Sequence, residues 1–411
     1  MTLILWFTHA LRGAAVGMFT IGFPLFVASR GVGAAGLGAL AAASVVTGAV
    51  FTYFFSRSTG AGSVRSFLSL SALLMLAVGG IYATAHSMDQ IMLGALGGFI
   101  PPAAGLFAGA VEEGCLAQLS AAHRARGFAI YGMLGTLGGA VGTLAAGVPA
   151  AVGLTGDDAQ RALFWAFAAM GLAVLVLVRR LPAAEMPGRR RVAPSAGEAP
   201  KRDPLLWRLG GLFVVDSMGS GMVASTLLVY WLHERFRLES PTLAALFCGI
   251  ELLSAMSFPL AVQVGRRWGL LNTAVFTHIP SSLLLVAVPF APDGLVAASL
   301  LLARAALVEM DVPTRQLWMS AVVLPEERAR AAGFTSLGRQ VGRALGPAIG
   351  GGLLQAAGAA APFVLGGMVK IAYDLALWRS MRGVHPPDDD RHFAPRGKSA
   401  DAAAGTGGTD A

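Results

Sequence analysis

Charge is what this sequence has least of. Only 13% of its 411 residues are Asp, Glu, Lys or Arg, while 55% are hydrophobic and the mean hydropathy is +0.64. A soluble domain carries about 25% charged residues. A chain this long and this poorly charged cannot cover a water-facing surface, which excludes soluble enzymes and points to an all-α, polytopic membrane protein. Cysteine is nearly missing as well. Cys115 and Cys248 are the only two; both lie in apolar runs, and no CxxC pair or His/Cys cluster has metal spacing, so they read as free thiols with no metal site. There is no Gly-x-Ser-x-Gly elbow, no Walker loop and no metal-spaced histidine pair. The protein is therefore expected not to be an enzyme, to need no cofactor and to draw energy from a gradient rather than from ATP. No basic patch is interleaved with aromatics, so the net charge of +8 does not argue for nucleic acid. A basic n-region and an Ala-x-Ala cleavage site are also lacking, and the first apolar run reads as a membrane helix.

What the chain does have is twelve long apolar runs, at about 3–29, 35–56, 65–86, 89–119, 127–152, 159–179, 205–232, 241–264, 269–291, 294–321, 331–356 and 360–380. At 1.5 Å per residue each can cross a ~30 Å hydrocarbon layer. The loops alternate in charge. One set carries Arg57 and Arg65, then His123, Arg124 and Arg126, then Arg266 and Arg267, then Arg328 and Arg330. The Lys/Arg excess places that set in the cytoplasm together with both termini. The only long polar interruption is the basic linker 180–204, with Arg189, Arg190 and Arg191. It divides the chain into six-helix bundles at 1–179 and 205–380, and the tail 381–411 has a disordered composition. The halves repeat weakly: Gly17-Met18 recurs as Gly221-Met222 and Gly127-Phe128 as Gly333-Phe334. Such half-length repeats mark six-plus-six transporter folds.

At this point the residues resemble a family. Val275-Phe-Thr-His-Ile-Pro-Ser-Ser282, Met310-Asp-Val-Pro-Thr-Arg-Gln316, Pro325-Glu-Glu-Arg328 and Gly346-Pro347 are similar to the major facilitator superfamily, in particular to a drug-efflux-like bacterial subgroup. The resemblance spans nearly the whole chain. It implies the major facilitator fold of twelve transmembrane helices in two six-helix pseudo-repeats, alternating access, usually proton coupling, and a cavity lined by helices 1, 4, 7 and 10. One motif departs: where the superfamily has Gly-x-x-x-Asp-Arg-x-Gly between helices 2 and 3, Thr52–Gly60 carries no acid, and neither does Arg266–Gly269.

Ionisable residues at membrane depth are costly and usually face a bundle interior or a water path. Four acids are candidates for carrying a proton: Glu112 and Glu113 on helix 4, Asp216 on helix 7 and Glu251 on helix 8. A carboxyl in an apolar site can do this; the alternative for the helix 4 pair is a static bond to Arg12 or Arg124. On helix 10, Arg304, Asp311 and Arg315 are spaced by 7 and 4 and fall on one stripe, either as a gated charge network or as a fixed Asp311–Arg315 pair. Glu309 points elsewhere on that helix and stays among the cavity candidates. Arg12, which is Asp216's counterpart in the repeat, and Arg339 with Arg343 on helix 11 complete the set; the last two need acidic partners or an anionic ligand. Gly338, Gly342, Gly346 and Gly350, with Pro347 among them, make a small-residue seam for close helix packing. His9 and His278 read as satisfied core histidines, and Lys370 with Asp374, four apart, as a local pair. The expected function is proton-coupled efflux of a small amphipathic molecule by a monomer in the bacterial plasma (inner) membrane. Proton-coupled uptake of an organic anion or metabolite is the alternative, and a non-transporting membrane scaffold or sensor is the alternative from another class.

Overall fold

The computed structural model describes residues 2–57, 61–101, 106–116, 121–181, 204–312, 314–315, 318 and 328–382. The described structure is helical throughout. In the first half the helices are α1 (Thr2–Ser29), α2 (Ala34–Arg57), α3 (Ala61–Ala83), α4 (Met88–Ala95), α5 (Leu106–Leu116), α6 (Ala121–Ala145), α7 (Val148–Ala151) and α8 (Gly156–Arg179). In the second half they are α9 (Pro204–Met222), α10 (Ser225–Phe236), α11 (Ser240–Trp268), α12 (Leu270–Ala287), α13 (Gly294–Val308), α14 (Arg328–Ala356) and α15 (Ala361–Met381). Among the described residues, nine helical stretches are long and apolar enough to cross a membrane. The linker 182–203 and the tail beyond Arg382 lie outside the described residues.

Four of the expected continuous helices are broken; helix 5, expected over 127–152, is α6 and α7 with a turn at Ala146–Gly147 between them. Helix 4, expected over 89–119, is α4 and α5 with a turn at Leu96–Gly98 between them. Gly98 takes a φ of 77° there, a left-handed conformation that glycine adopts without strain, and Pro101 and Pro102 follow. Helix 7, expected over 205–232, stops at Met222 and restarts at Ser225. Helix 10, expected over 294–321, closes α13 at Val308 and turns through Glu309 and Met310 before helical geometry resumes at Asp311. Helices 8 and 9 differ in another way. Arg267 lies within α11, and α12 follows after the single residue Gly269, whose φ of 83° makes the reversal possible without a loop.

The two halves are built alike. In the first, α1 packs on α6 and α8, and α3 on α8; in the second, α9 packs on α14 and α15, and α12 on α15. Both central contacts are glycine seams. Gly13 and Gly17 of α1 meet Gly135 and Gly139 of α6, while Gly338, Gly342, Gly346 and Gly350 of α14 lie directly on the backbone of α9 from Gly210 to Met222. A methyl group at Gly142 or Gly350 would overlap a carbonyl oxygen of the facing helix. Small residues let backbones approach, which is how helices gain contact area in lipid, where no hydrophobic effect draws them together.

The halves meet along α2–α14 and α6–α11. Let the near end be the one at which α1 begins and the far end the one at which it finishes. At the far end the two halves share their cores. An aromatic cluster of Phe19, Phe23, Phe26, Tyr82, Phe164 and Phe167 takes in Leu227, and a second cluster joins Met18, Ile21 and Leu163 to Leu228, Trp231, Phe247 and Phe363. Three hydrogen bonds cross there: Ala35 N donates to Gln355 Oε1 at 3.1 Å, Thr226 Oγ1 to the Pro101 carbonyl at 3.3 Å and Ser240 Oγ to the Ala146 carbonyl at 2.9 Å. At the near end the cores are separate. Leu5, Val64, Leu68, Val111 and Val178 pack within the first half, and Leu209, Phe213, Val275, Trp318, Tyr373 and Leu377 within the second.

Candidate functional site

Among the described residues, the first half contains one fully buried carboxylate. Glu112 of α5 is 0% exposed, and four side chains meet it. Thr8 Oγ1 donates to Oε1 at 3.0 Å, the Tyr131 hydroxyl donates to Oε2 at 2.9 Å, and Arg12 of α1 forms an ion pair with Oε1. His9 Nδ1 lies 3.4 Å from Oε2, its ring stacked on Tyr131 at 3.6 Å between centroids. Helical spacing explains the grouping: Thr8 and Arg12 are one turn apart on α1, so both reach the same point across the helix interface. Arg12 Nη1 is buried without a hydrogen-bond partner among the described residues. The side chain of Glu113 lies outside the described residues.

The second half contains a larger network. Asp216 of α9 binds two cations: Arg315 Nη1 at 3.2 Å through Oδ2 and Lys370 Nζ at 3.1 Å through Oδ1. The same guanidinium reaches Asp311 Oδ2 at 3.1 Å and donates to the Tyr373 hydroxyl at 3.1 Å, with the Phe213 ring beneath it at 5.0 Å. Lys370 donates to Ser220 Oγ at 2.6 Å. Behind this network, His278 Nδ1 of α12 lies 2.8 Å from Asp374 of α15, both side chains being fully enclosed. Lys370 and Asp374 therefore do not pair with each other, contrary to the spacing argument. Each projects to a different neighbouring helix that offers an opposite charge, and a direct ion pair across a helix interface outcompetes a weak pair along one helix.

Arg12 and Asp216 are 204 residues apart in the repeat, and each forms an ion pair with the fourth membrane helix of its own half. The polarity is reversed: cation on α1 and anion on α5 in the first half, anion on α9 and cation at Arg315 in the second.

The remaining candidates lie deeper or stand apart. The turn at Glu309–Met310 breaks the stripe expected for helix 10: Asp311 and Arg315 stay together, while Arg304 keeps its Nε buried and without a hydrogen-bond partner among the described residues. Glu309 comes within electrostatic reach of Glu251, Arg304 and Arg343. Glu251 of α11 lies about 4 Å from where a side chain would begin at Gly139 of α6, at the contact between the halves. The Arg339 guanidinium lies 5.3 Å from the centroid of the same Phe213 ring. Thr8, Tyr131, Ser220 and Tyr373 were not legible as participants, and His9 read only as a satisfied core histidine. The one signal was that Tyr373 stands on the helix that also carries Lys370 and Asp374. Among the described residues, no group of three or more His, Cys, Asp or Glu side chains is placed to hold a metal ion. A cavity of about 320 Å³ at the far end, lined by Tyr230, Trp231, Glu234, Arg235 and Gln355, is remote from these charges.

Comparison with known proteins agrees with this architecture. A family described as "Transmembrane secretion effector" matches residues 219–391. An uncharacterized membrane protein of Saccharomyces cerevisiae is 24% identical over 422 residues, covering 93% of this chain and 94% of its own. The solved nucleoside transporter NupG superposes with a TM-score of 0.70 at 14% identity over 92% of this chain and 98% of its own. The xylose transporter XylE of E. coli gives 0.67 at 14% identity over 97% and 98%. The human organic anion transporter TETRAN gives 0.59 at 16% identity over 92% and 98%. The fold is the major facilitator fold. In this fold's terms α1, α4 with α5, α9 with α10, and α13 with its continuation are helices 1, 4, 7 and 10, and the two ion-paired clusters join helix 1 to helix 4 and helix 7 to helix 10.

Proposed function

We propose that this protein is a secondary active transporter working by alternating access, with twelve crossings, both termini in the cytoplasm and a resting conformation open to that side. The observation that carries this reading is the asymmetry between the ends. One end has a core and three hydrogen bonds shared between the halves, while at the other each half closes its own core. Two similar bodies joined at one end can rock about a central site and exchange which end is closed. The basic loops put the open end in the cytoplasm, and the plasma membrane is the membrane concerned.

The transport is proton-coupled, and Glu251 carries the proton. Glu112 is bound by Arg12 and two hydroxyls, and Asp216 by two cations, and such partners hold a carboxyl in one protonation state. Glu251 has no ion pair or hydrogen bond among the described residues and sits where the halves touch, so rocking changes its surroundings. Export of a small amphipathic molecule is the direction, in keeping with the secretion family that residues 219–391 match. The test is transport in inside-out vesicles with an imposed pH gradient and a broad panel of compounds. Wild-type vesicles should accumulate at least one compound, and Glu251→Gln should lose gradient-driven accumulation while keeping substrate exchange. Full accumulation by Glu251→Gln sinks the carrier assignment; no movement of any compound in wild-type vesicles sinks the transporter reading.

A further inference from the structure

Among the described residues, two arginines of α14 have no acid bound to them. Arg339 and Arg343 are one turn apart on α14, about 17 and 23 Å from its first residue at 1.5 Å per residue. They share a face of the helix. The glycine seam against α9 lies beside that face, and the exposed apolar residues Leu337, Val341 and Leu345 lie on the opposite side, so the arginines look into the bundle and not at lipid. Ser336, on the arginine side, is exposed, which is what an open water path requires. Neither guanidinium forms an ion pair or a hydrogen bond among the described residues; Arg339 touches only the face of Phe213.

The nearby acids are committed elsewhere. Asp216 is held by Arg315 and Lys370, Asp311 by Arg315, and Asp374 faces His278. Glu309 is within electrostatic reach of Arg343 but closes no bond to it, and it is shared with Arg304. Asp216 is within electrostatic reach of four cations, Arg315, Lys370, Arg339 and Arg343, and binds the first two. Unpaired cations at this depth are costly to keep, and planar guanidinium groups one turn apart are suited to gripping a carboxylate or phosphate with paired hydrogen bonds.

We propose that Arg339 and Arg343 bind the anionic group of the transported molecule, so that the substrate class is a small organic anion. This rests on the transporter reading, and the experiment separates the two. Purified protein in detergent is unfolded thermally with phenylacetate, phenyl phosphate, neutral phenylacetamide and cationic phenethylamine, all sharing one ring. At least one of the two anions should raise the unfolding temperature, and which one does so tells carboxylate from phosphate; the neutral and cationic compounds should not. The shift should vanish in Arg339→Gln with Arg343→Gln and survive in part in Arg343→Lys. Without ligand, Arg343→Gln should unfold no lower than wild type, because it removes an unpaired charge; a clear drop would mark Arg343 as a structural partner and overturn the proposal. Stabilisation by phenylacetamide equal to that by the anions, or anion stabilisation that persists in the double variant, would also overturn it. Because no gradient is involved, anion-specific binding without vesicle transport leaves the site standing and removes the transporter reading. Transport with no anion effect does the reverse.

Discussion

Asp216→Asn is the most informative single change in the second half. Asp216 joins two cations, at 3.2 Å to Arg315 and 3.1 Å to Lys370. With an effective dielectric of about 20, each contact amounts to about 5 kcal/mol of Coulomb attraction before desolvation. Desolvation offsets most of that, but the offset is already present in the folded protein, so removing the acid leaves both cations to bear it alone. The two are not equally stranded. Arg315 keeps Asp311 and the Tyr373 hydroxyl, whereas Lys370 keeps only Ser220 Oγ. Breaking a buried pair from one side costs about 3–5 kcal/mol, and most of that loss should come from Lys370. Lys370→Met in the Asp216→Asn background removes the stranded ammonium and should recover about 2 kcal/mol. The assay is a double-mutant cycle on unfolding by denaturing detergent, followed by tryptophan fluorescence. A double variant whose loss equals the sum of the singles, to within about 0.5 kcal/mol, would refute the pairing and with it the view that Asp216 is held by cations from two helices.

Three further outcomes follow from the same structure. A cysteine at Ser195, in the linker, should resist labelling from outside intact cells; efficient labelling would invert the topology. Gly142→Leu and Gly350→Leu should each sharply reduce folded protein, because the facing carbonyl leaves no room for a side chain, while Gly211→Ala, with open space around it, should change stability by less than about 1 kcal/mol; equal losses at all three would remove close packing as the role of the seams. Cysteines at Ala35 and Gln355, which touch across the far end, should be joined readily by a short bismaleimide and transport should stop; undiminished transport after complete cross-linking would show that this end never opens.

The fold was legible because lipid selects hydropathy directly: a run of apolar residues reports its crossing without any tertiary argument. The breaks were not legible to the same reading. Leu96–Pro101 and Val223–Ala224 remain apolar, so hydropathy runs through them, although Gly97, Gly98 and Pro101 carried a warning that turn chemistry would have heeded. Side-chain partners were harder still. Spacing along one helix put Lys370 with Asp374, yet each found its opposite charge on another helix, at Asp216 and His278. Cross-helix partners depend on rotation and depth together, and neither is written in a one-dimensional pattern. Where the repeat itself fixed depth, as for Arg12 and Asp216, sequence placed the residues at equivalent positions; their opposite charges left open that each would form the same helix-to-helix bond in reversed polarity.

Alternating access is the claim on which the rest depends, and distances across the two ends test it directly. Spin labels at Arg179 and Arg379 report the near end, and labels at Asp89 and Leu295 the far end, in a background with Cys115 and Cys248 replaced. Pulsed dipolar spectroscopy of the reconstituted protein, at high and low pH and with a transported compound, should show the near-end distance shortening as the far-end distance lengthens, within one population shift. Two distances that stay fixed under every condition, or that lengthen and shorten together, would contradict the account.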